Sequence, residues 1–350
     1  MRALLVATVV LLAGCVRPTP GVTELTYSSP YSPSHPFSRA DIAWMKWVEE
    51  QSGGKLRVKP FWGGSVVSSE HAMIELRHGV ADIALITPIY ARGGTHLQRA
   101  QAGFYVGMDT YKQQTAFYRC MAQFHPQFDR ELHGLKTLAV QGGNLPGIVT
   151  RARPVRTLED LRGLRLRAPS ELLSVLEHFG ADPVDMPMGE VYSALAKGVL
   201  DGVVAPADTL RSLHFAEVAK YFNTIKIPRG AYAARAMGLK RWERLSEAER
   251  ALLERGVAVW EDALASELQR AETAGFETGR ELNVEFHDIS PEDQERFDRV
   301  YAADSETRAG TLTRYGIDGL AVFRDARATA AASAGSDQVQ CTRAQHDPTT

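Results

Sequence analysis

At 350 residues the chain is long enough for two domains of ordinary size, each with its own core. Its 44% apolar and 23% charged residues describe a soluble globular protein with disorder confined to its ends. A formal net charge of −2 shows none of the basic excess that phosphate backbones demand, which sets nucleic acid aside as a partner.

Met1-Arg2 is a small positive start, residues 3–12 form an apolar run too short to span a bilayer, and Leu12-Ala13-Gly14-Cys15 follows. Small residues before a cysteine resemble a bacterial lipobox. That resemblance implies cleavage before Cys15, lipid on its sulfur, and a mature periplasmic chain anchored to a bacterial membrane through buried methylenes. An ordinary signal peptide with an incidental cysteine is the alternative. Residues 1–21 are set apart as leader and tether, and no later run of eighteen apolar residues predicts a transmembrane helix. Two cysteines then remain, Cys120 and Cys341. In an oxidising compartment they are either a disulfide that pins the tail to the body or two free thiols.

In chain order, residues 24–29 alternate as a strand and stop at a proline-rich loop, 30–36, that makes a plausible ligand edge. Residues 37–51 follow as a helix ended by Ser52-Gly53-Gly54. Trp44 and Trp47 on that helix read as core rather than as a stacking platform. A strand at 55–61, a turn through Ser65, a helix at 70–78 and a buried strand at 83–86 complete an alternation typical of α/β domains. A helix is expected at 112–124 and a strand at 135–140. Gly142-Gly143 lacks the lysine of a P-loop and the spacing of a dinucleotide fingerprint, and reads as a crossing between domains.

Residues 157–206 compress strand, helix, strand, helix and strand into one α/β unit. Its heptad Leu195-Ala196-Lys197-Gly198-Val199-Leu200-Asp201 echoes Leu76-Arg77-His78-Gly79-Val80-Ala81-Asp82, which suggests two related lobes. In both, leucine would pack the last helical turn, glycine cap it, valine start the next strand and aspartate cap the turn. Beyond it a helix is predicted at 207–219 and a strand at 221–227. Ser246-Glu247-Ala248-Glu249 is a capping box opening a helix that runs to Arg280, about 45 to 50 Å long and so able to lie along both lobes. A strand at 284–288 and helices starting at 291 and 306 follow. The expected fold is α/β and two-lobed, like periplasmic binding proteins, with mixed sheets flanked by helices. Lobe I takes 22–143 plus about 233–270, lobe II takes 144–232 plus about 271–327, and 328–350 is a disordered tail.

No G-x-S-x-G elbow, H-E-x-x-H helix, C-x-x-C pair or P-loop lysine occurs, so neither catalysis nor a metal or other cofactor is called for. Two lobes joined by several crossings create a cleft suited to closing on a small ligand. Thr157-Leu158-Glu159-Asp160-Leu161-Arg162-Gly163-Leu164-Arg165-Leu166-Arg167 is similar to the signature of DctP-type substrate-binding proteins of TRAP transporters. So are Gly180-Ala181-Asp182-Pro183-Val184 and the run from Glu190 through Leu195 to Gly202, with further likeness at 53–58, 75–83, Trp242 and Leu245. The resemblance implies a periplasmic receptor that closes on an organic anion and delivers it to the two membrane subunits of a sodium-driven permease.

Arg167 matches the family's carboxylate-gripping arginine, and its planar fork of donors suits that task; a structural ion pair is the alternative. Arg165, two residues back on the same face, is assigned to such an ion pair. Pro169 leaves the strand beside Arg167. Many relatives carry a polar or acidic residue near the position of Ala205, whereas Val203-Val204-Ala205-Pro206 is apolar here, favouring a monocarboxylate with an apolar or aromatic body. The second arginine of some relatives is replaced by Gly147, which leaves a second anion clamp in doubt. His35, Ser65, Thr87, Tyr90, Asp208 and Tyr232 are further contacts, chosen as polar or aromatic groups near strand ends or crossings. A receptor that signals to a membrane sensor and a secreted hydrolase are the competing functions.

Overall fold

The computed structural model describes residues 21–345, so Cys15 and the lipobox-like segment lie outside the described residues. The strands are β1 (Thr23–Ser28), β2 (Leu56–Phe61), β3 (Ile83–Leu85), β4 (Leu135–Gln141), β5 (Gly147–Thr150), β6 (Arg165–Arg167), β7 (Asp182–Val184), β8 (Gly202–Ala205), β9 (Tyr221–Asn223), β10 (Tyr232–Gly238) and β11 (Glu285–His287). They form two sheets, ordered β2-β1-β3-β10-β4 and β11-β9-β5-β8-β6-β7. Each sheet contains a parallel trio with its first strand in the middle, β2-β1-β3 and β7-β6-β8, flanked by an antiparallel strand, β10 or β5. The fold is therefore α/β with two mixed sheets, one per lobe.

The repeated heptad serves the same purpose in both lobes, with two corrections. Leu76 and Leu195 are buried, and Gly79 and Gly198 take left-handed backbone at φ 75° and 71°. Val80 and Val199 do not start a strand: they are 51% and 53% exposed in the turn. Nor do the aspartates cap that turn. Asp82 accepts the Thr26 N–H at 2.7 Å and Asp201 accepts the Arg165 N–H at 2.8 Å, so each binds the backbone of the middle strand of its trio. Arg165 itself is exposed and lies 3.9 Å from Asp182.

The helix Glu247–Glu281 opens with the expected capping box, Ser246 Oγ accepting the Glu249 N–H at 3.3 Å. It packs on the helix Pro36–Gln51 and β4 in one lobe and on the short helix Thr209–Ser212 in the other. Gly275 permits the second approach, since a Cβ there would overlap the Ala207 carbonyl. Trp44 is core, stacked on Trp260 with ring centres 3.7 Å apart.

Several expectations are revised. The helix predicted at 207–219 breaks into Thr209–Ser212 and Phe215–Val218 because His214 adopts φ 60°. The strand predicted at 221–227 ends at Asn223, whose side chain binds the Val155 carbonyl and the Ile225 N–H, both at 2.9 Å, and turns the chain. The segment from 291 is one helix, Pro291–Gly310. The tail is not disordered at 328: a helix spans Gly319–Ala332, and it packs on the helix Pro291–Gly310 and on the lobe I helix Tyr111–Phe124. Val322, Phe323, Ala326 and Ala330 bury in the lobe I core beside Phe117 and Met121. Cys120 and Cys341 are joined in a disulfide with Cα atoms 5.4 Å apart, holding the following segment to the helix Tyr111–Phe124.

At the centre of lobe I, Asp41 and Arg235 form an ion pair of 2.9 Å with both side chains fully buried. Asp41 also accepts from Tyr27 Oη and from Trp260 Nε1, and Arg235 donates to Gln141 Oε1. The Asp41 carboxylate beside it holds the guanidinium pKa above its ordinary value, against the opposing effect of burial. Removing one partner of such a pair strands a buried charge. Asp41→Asn and Arg235→Met are each expected to lower stability by about 3–5 kcal/mol in urea unfolding, with Asp41→Leu/Arg235→Met recovering most of the loss. Single losses under about 1 kcal/mol would refute this.

Candidate ligand-binding cleft

The chain crosses between the sheets at 142–146 and 224–231. A cavity of about 120 Å³ lies where these crossings meet the carboxyl ends of β1, β3, β6 and β8. Loops leaving those ends carry the lining: Tyr31 and His35 after β1, Thr87 and Tyr90 after β3, Pro169 and Glu171 after β6, Pro206 and Asp208 after β8. This is the usual ligand position in open α/β sheets, because loops at strand ends are free of pairing.

Arg167 is 1% exposed at the last position of β6. Its Nε donates to the Met186 carbonyl at 2.9 Å and its Nη2 to Tyr90 Oη at 2.7 Å, a bond that bridges the lobes. Its hydrogen-bond partners are thus neutral, not the carboxylate that a structural ion pair requires. A second guanidinium, Arg229, enters from the other crossing and lines the same cavity. It lies against Gly143, where any Cβ would overlap it, while the Gly143 N–H donates to Gln114 Oε1 at 2.8 Å.

One wall is aromatic: Tyr31 stacks on His35 at 4.0 Å, and Phe37 meets both edge-on. His35 Nδ1 accepts the Phe37 N–H and caps the first helix. Burial pushes the His35 pKa down to about 3, with Arg235 and Arg39 adding to the effect, so the imidazole is neutral. Burial raises Asp208 to about 6, opposed by Arg229 and by hydrogen bonds from Asn144 and Ser212. Burial likewise raises Glu171 and Tyr90, with the Arg167 charge opposing in both. Ile89, Leu172, Met188, Val204, Leu213 and Leu268 supply apolar surface.

The DctP family, described as bacterial extracellular solute-binding protein, family 7, matches residues 27–307. The chain belongs to this family. DctP proteins are binding proteins rather than enzymes. The sialic acid-binding periplasmic protein SiaP of Vibrio cholerae is 25% identical over 260 residues, covering 70% of this chain and 77% of its own. A TRAP solute-binding protein from Rhodoferax ferrireducens, in complex with copurified benzoate, matches with TM-score 0.80 at 21% identity, over 89% of this chain and 98% of that one. Another from Bordetella bronchiseptica, with bound (R)- and (S)-mandelate, matches with TM-score 0.76 at 21% identity, over 89% and 99%. These structures share the two-lobed fold. Among the described residues no helix is long and apolar enough to cross a membrane.

Within this DctP-family cleft, the cavity brings together Arg167, Pro169, Pro206, Asp208, His35, Thr87, Tyr90 and Tyr232. Two expected contacts fall outside it. Ser65 is exposed in the turn after β2, an edge strand remote from the crossings. Ala205 is buried on the other face of β8, because strand alternation turns Val204 toward the cleft side and Val203 and Ala205 toward the opposite core. Tyr31, Gln101, Glu171 and Arg229 line the cavity without having been singled out. Arg229 had a visible signal, a lone cation between Pro228 and Gly230 at a crossing. Glu171 and Gln101 had none, since each sits in a short turn that only tertiary packing places.

The shifted groups predict a pH profile. The unfolded His35 takes a proton near 6.5, whereas the folded one resists protonation down to about 3. The unfolded state therefore binds more protons in that window, and stability falls as pH drops through it. Asp208 has the opposite sign: its folded pKa of about 6 lies above the ordinary 3.8, so its ionisation weakens the fold as pH rises through that window. Thermal melts from pH 3 to 7 are expected to show less acid sensitivity for His35→Asn than for wild type and more for Asp208→Asn. Superimposable profiles would refute the assignment.

Proposed function

We propose that this DctP-family protein is a periplasmic receptor for a small organic monocarboxylate with an apolar or aromatic body, held between the lobes and handed to a sodium-driven TRAP permease. The observation that carries this reading is Arg167, a guanidinium buried at a strand end and bonded to a carbonyl and a phenol, with its remaining N–H donors free for an anion. In a desolvated site a bidentate arginine–carboxylate contact is strong and geometrically selective. Arg229 supports it as a second cation, reaching the cleft from a crossing rather than from the position of Gly147.

Size and lining narrow the ligand. An engineered apolar cavity of about 150 Å³ admits benzene, so about 120 Å³ suits one small ring or a short chain. Relatives of this fold carry benzoate and mandelate, and one is specific for aromatic acid ligands, in keeping with the Tyr31, His35 and Phe37 wall. Membership in the family supports delivery to a permease, and the lipobox-like segment at Cys15 supports a membrane tether.

The test is a thermal-shift screen of the chain from Val22 onward against monocarboxylates. A ligand at a hundredfold excess over its Kd stabilises the folded state by about 2.7 kcal/mol. Arg167→Met is expected to weaken the best acid by about 10- to 100-fold with little change in the unliganded melting point. A panel in which no carboxylate shifts the melt, or an Arg167→Met protein that binds like wild type, would overturn the reading.

A further inference from the structure

Two residues that line the cavity each carry a buried acceptor with no donor. Gln101 is 1% exposed; its amide nitrogen donates to the Gln98 carbonyl at 3.3 Å and the Ala231 carbonyl at 3.0 Å. Those two bonds fix which way the amide points and leave Oε1 buried without a hydrogen-bond partner. Glu171 is 8% exposed, and its Oε2 is likewise buried and unpartnered. The nearby Arg167 spends Nε and Nη2 on Met186 and Tyr90 rather than on Glu171. Both residues line the cavity that holds Arg167, one contributed by the 3-10 turn Gln101–Phe104 of lobe I and the other by the turn Ser170–Leu172 of lobe II.

Buried polar atoms are almost always satisfied, so a pair of orphans on residues lining one cavity needs a reason. A plain carboxylate cannot supply it. Its oxygens are acceptors, suited to Arg167 and Arg229, and would meet Gln101 Oε1 lone pair against lone pair. Gln101 Oε1 carries no proton at any pH, so this mismatch does not depend on the state of Glu171. We propose that Gln101 and Glu171 read hydrogen-bond donors on the ligand's carbon skeleton, so that the solute is a small carboxylic acid bearing a hydroxyl or ammonium group. The inference rests on the carboxylate reading above and adds the substituent that decides between acids. Because the two acceptors come from different lobes, a donor-bearing acid also ties the lobes together. An unsubstituted acid leaves both atoms unpaired, the arrangement by which polar sites reject analogues lacking a group.

The test is calorimetric titration of the chain from Val22 onward with two matched series: propionate, lactate and alanine, and phenylacetate, mandelate and phenylglycine. In at least one series the hydroxyl or ammonium member is expected to bind about 10- to 100-fold tighter than the unsubstituted acid. Glu171→Leu and, separately, Gln101→Met should bring the substituted acid to within about threefold of the plain one measured on the same variant. Glu171→Gln should keep a hydroxy acid near its wild-type affinity and weaken an amino acid, which distinguishes the two donors. The variants lie on different lobes, so if one fails to fold the other decides. Equal or tighter binding of plain acids in both series overturns the inference but leaves the Arg167 reading standing, as does equal weakening of plain and substituted acids by the folded variants. If Arg167→Met binds both classes like wild type, the carboxylate reading fails instead, and no binding by any member of either series overturns both.

Discussion

The buried ion pair of Asp41 and Arg235 sets the geometry on which the cleft depends. Asp41 belongs to the first helix, Arg235 to β10, and their other partners to β1, β4 and the long helix. Such a pair adds little net stability relative to apolar packing, but any arrangement that separates its members leaves a charge stranded in the core. Alternative packings of these five elements are therefore penalised. Gln141 carries the constraint onward by donating to Tyr232 Oη at 3.3 Å on the cavity wall. Since β10 begins where the second crossing ends, the pair also anchors the strand that follows Arg229 and Gly230.

Lobe II uses a different device for the same purpose. Asp201 holds the middle strand of its trio by a backbone N–H, and that strand ends on Arg167. A guanidinium at the carboxyl end of a buried parallel strand lacks solvent to neutralise it, and here its hydrogen bonds go to a carbonyl and a phenol. Arg229 rests in the space that Gly143 leaves empty. The two acidic groups in the cavity, Glu171 and Asp208, have their charged forms disfavoured by burial. Two guanidinium groups, Arg167 and Arg229, thus share the cavity with these two acids and with an aromatic and aliphatic surface.

How far this was legible in the chain follows from how local each signal is. The parallel trios were readable because buried parallel strands are short apolar runs bounded by helices with clear caps, as at 83–86 and 202–205. The capping box at Ser246 is also local, as is Arg167 at the end of its alternating strand. The interior strand β10 was not readable: Tyr-Ala-Ala-Arg-Ala-Met-Gly has no β-branched residue, and its antiparallel pairing with β3 and β4 comes from segments far apart in sequence. The alanine-rich helix Gly319–Ala332 was hidden for a related reason. Most of its apolar residues are small alanines, and it is ordered by a lobe I surface and by a cystine that closes a loop spanning 221 residues.

By itself the sequence determined the class of fold, the two-lobed repeat, the long helix across both lobes and the arginine that ends β6 in the cavity. Periodicity, caps and strand ends are properties of neighbouring residues and survive without knowledge of the rest of the chain. Only the tertiary structure decided which side chains share the cavity. It set Ser65 and Ala205 aside, brought in Arg229 across Gly143, and brought Gln101 and Glu171 to the same cavity from opposite lobes. The physical reason is that a cleft is built from the ends of many strands, and the direction of each side chain there is settled by packing between elements rather than by its own neighbours.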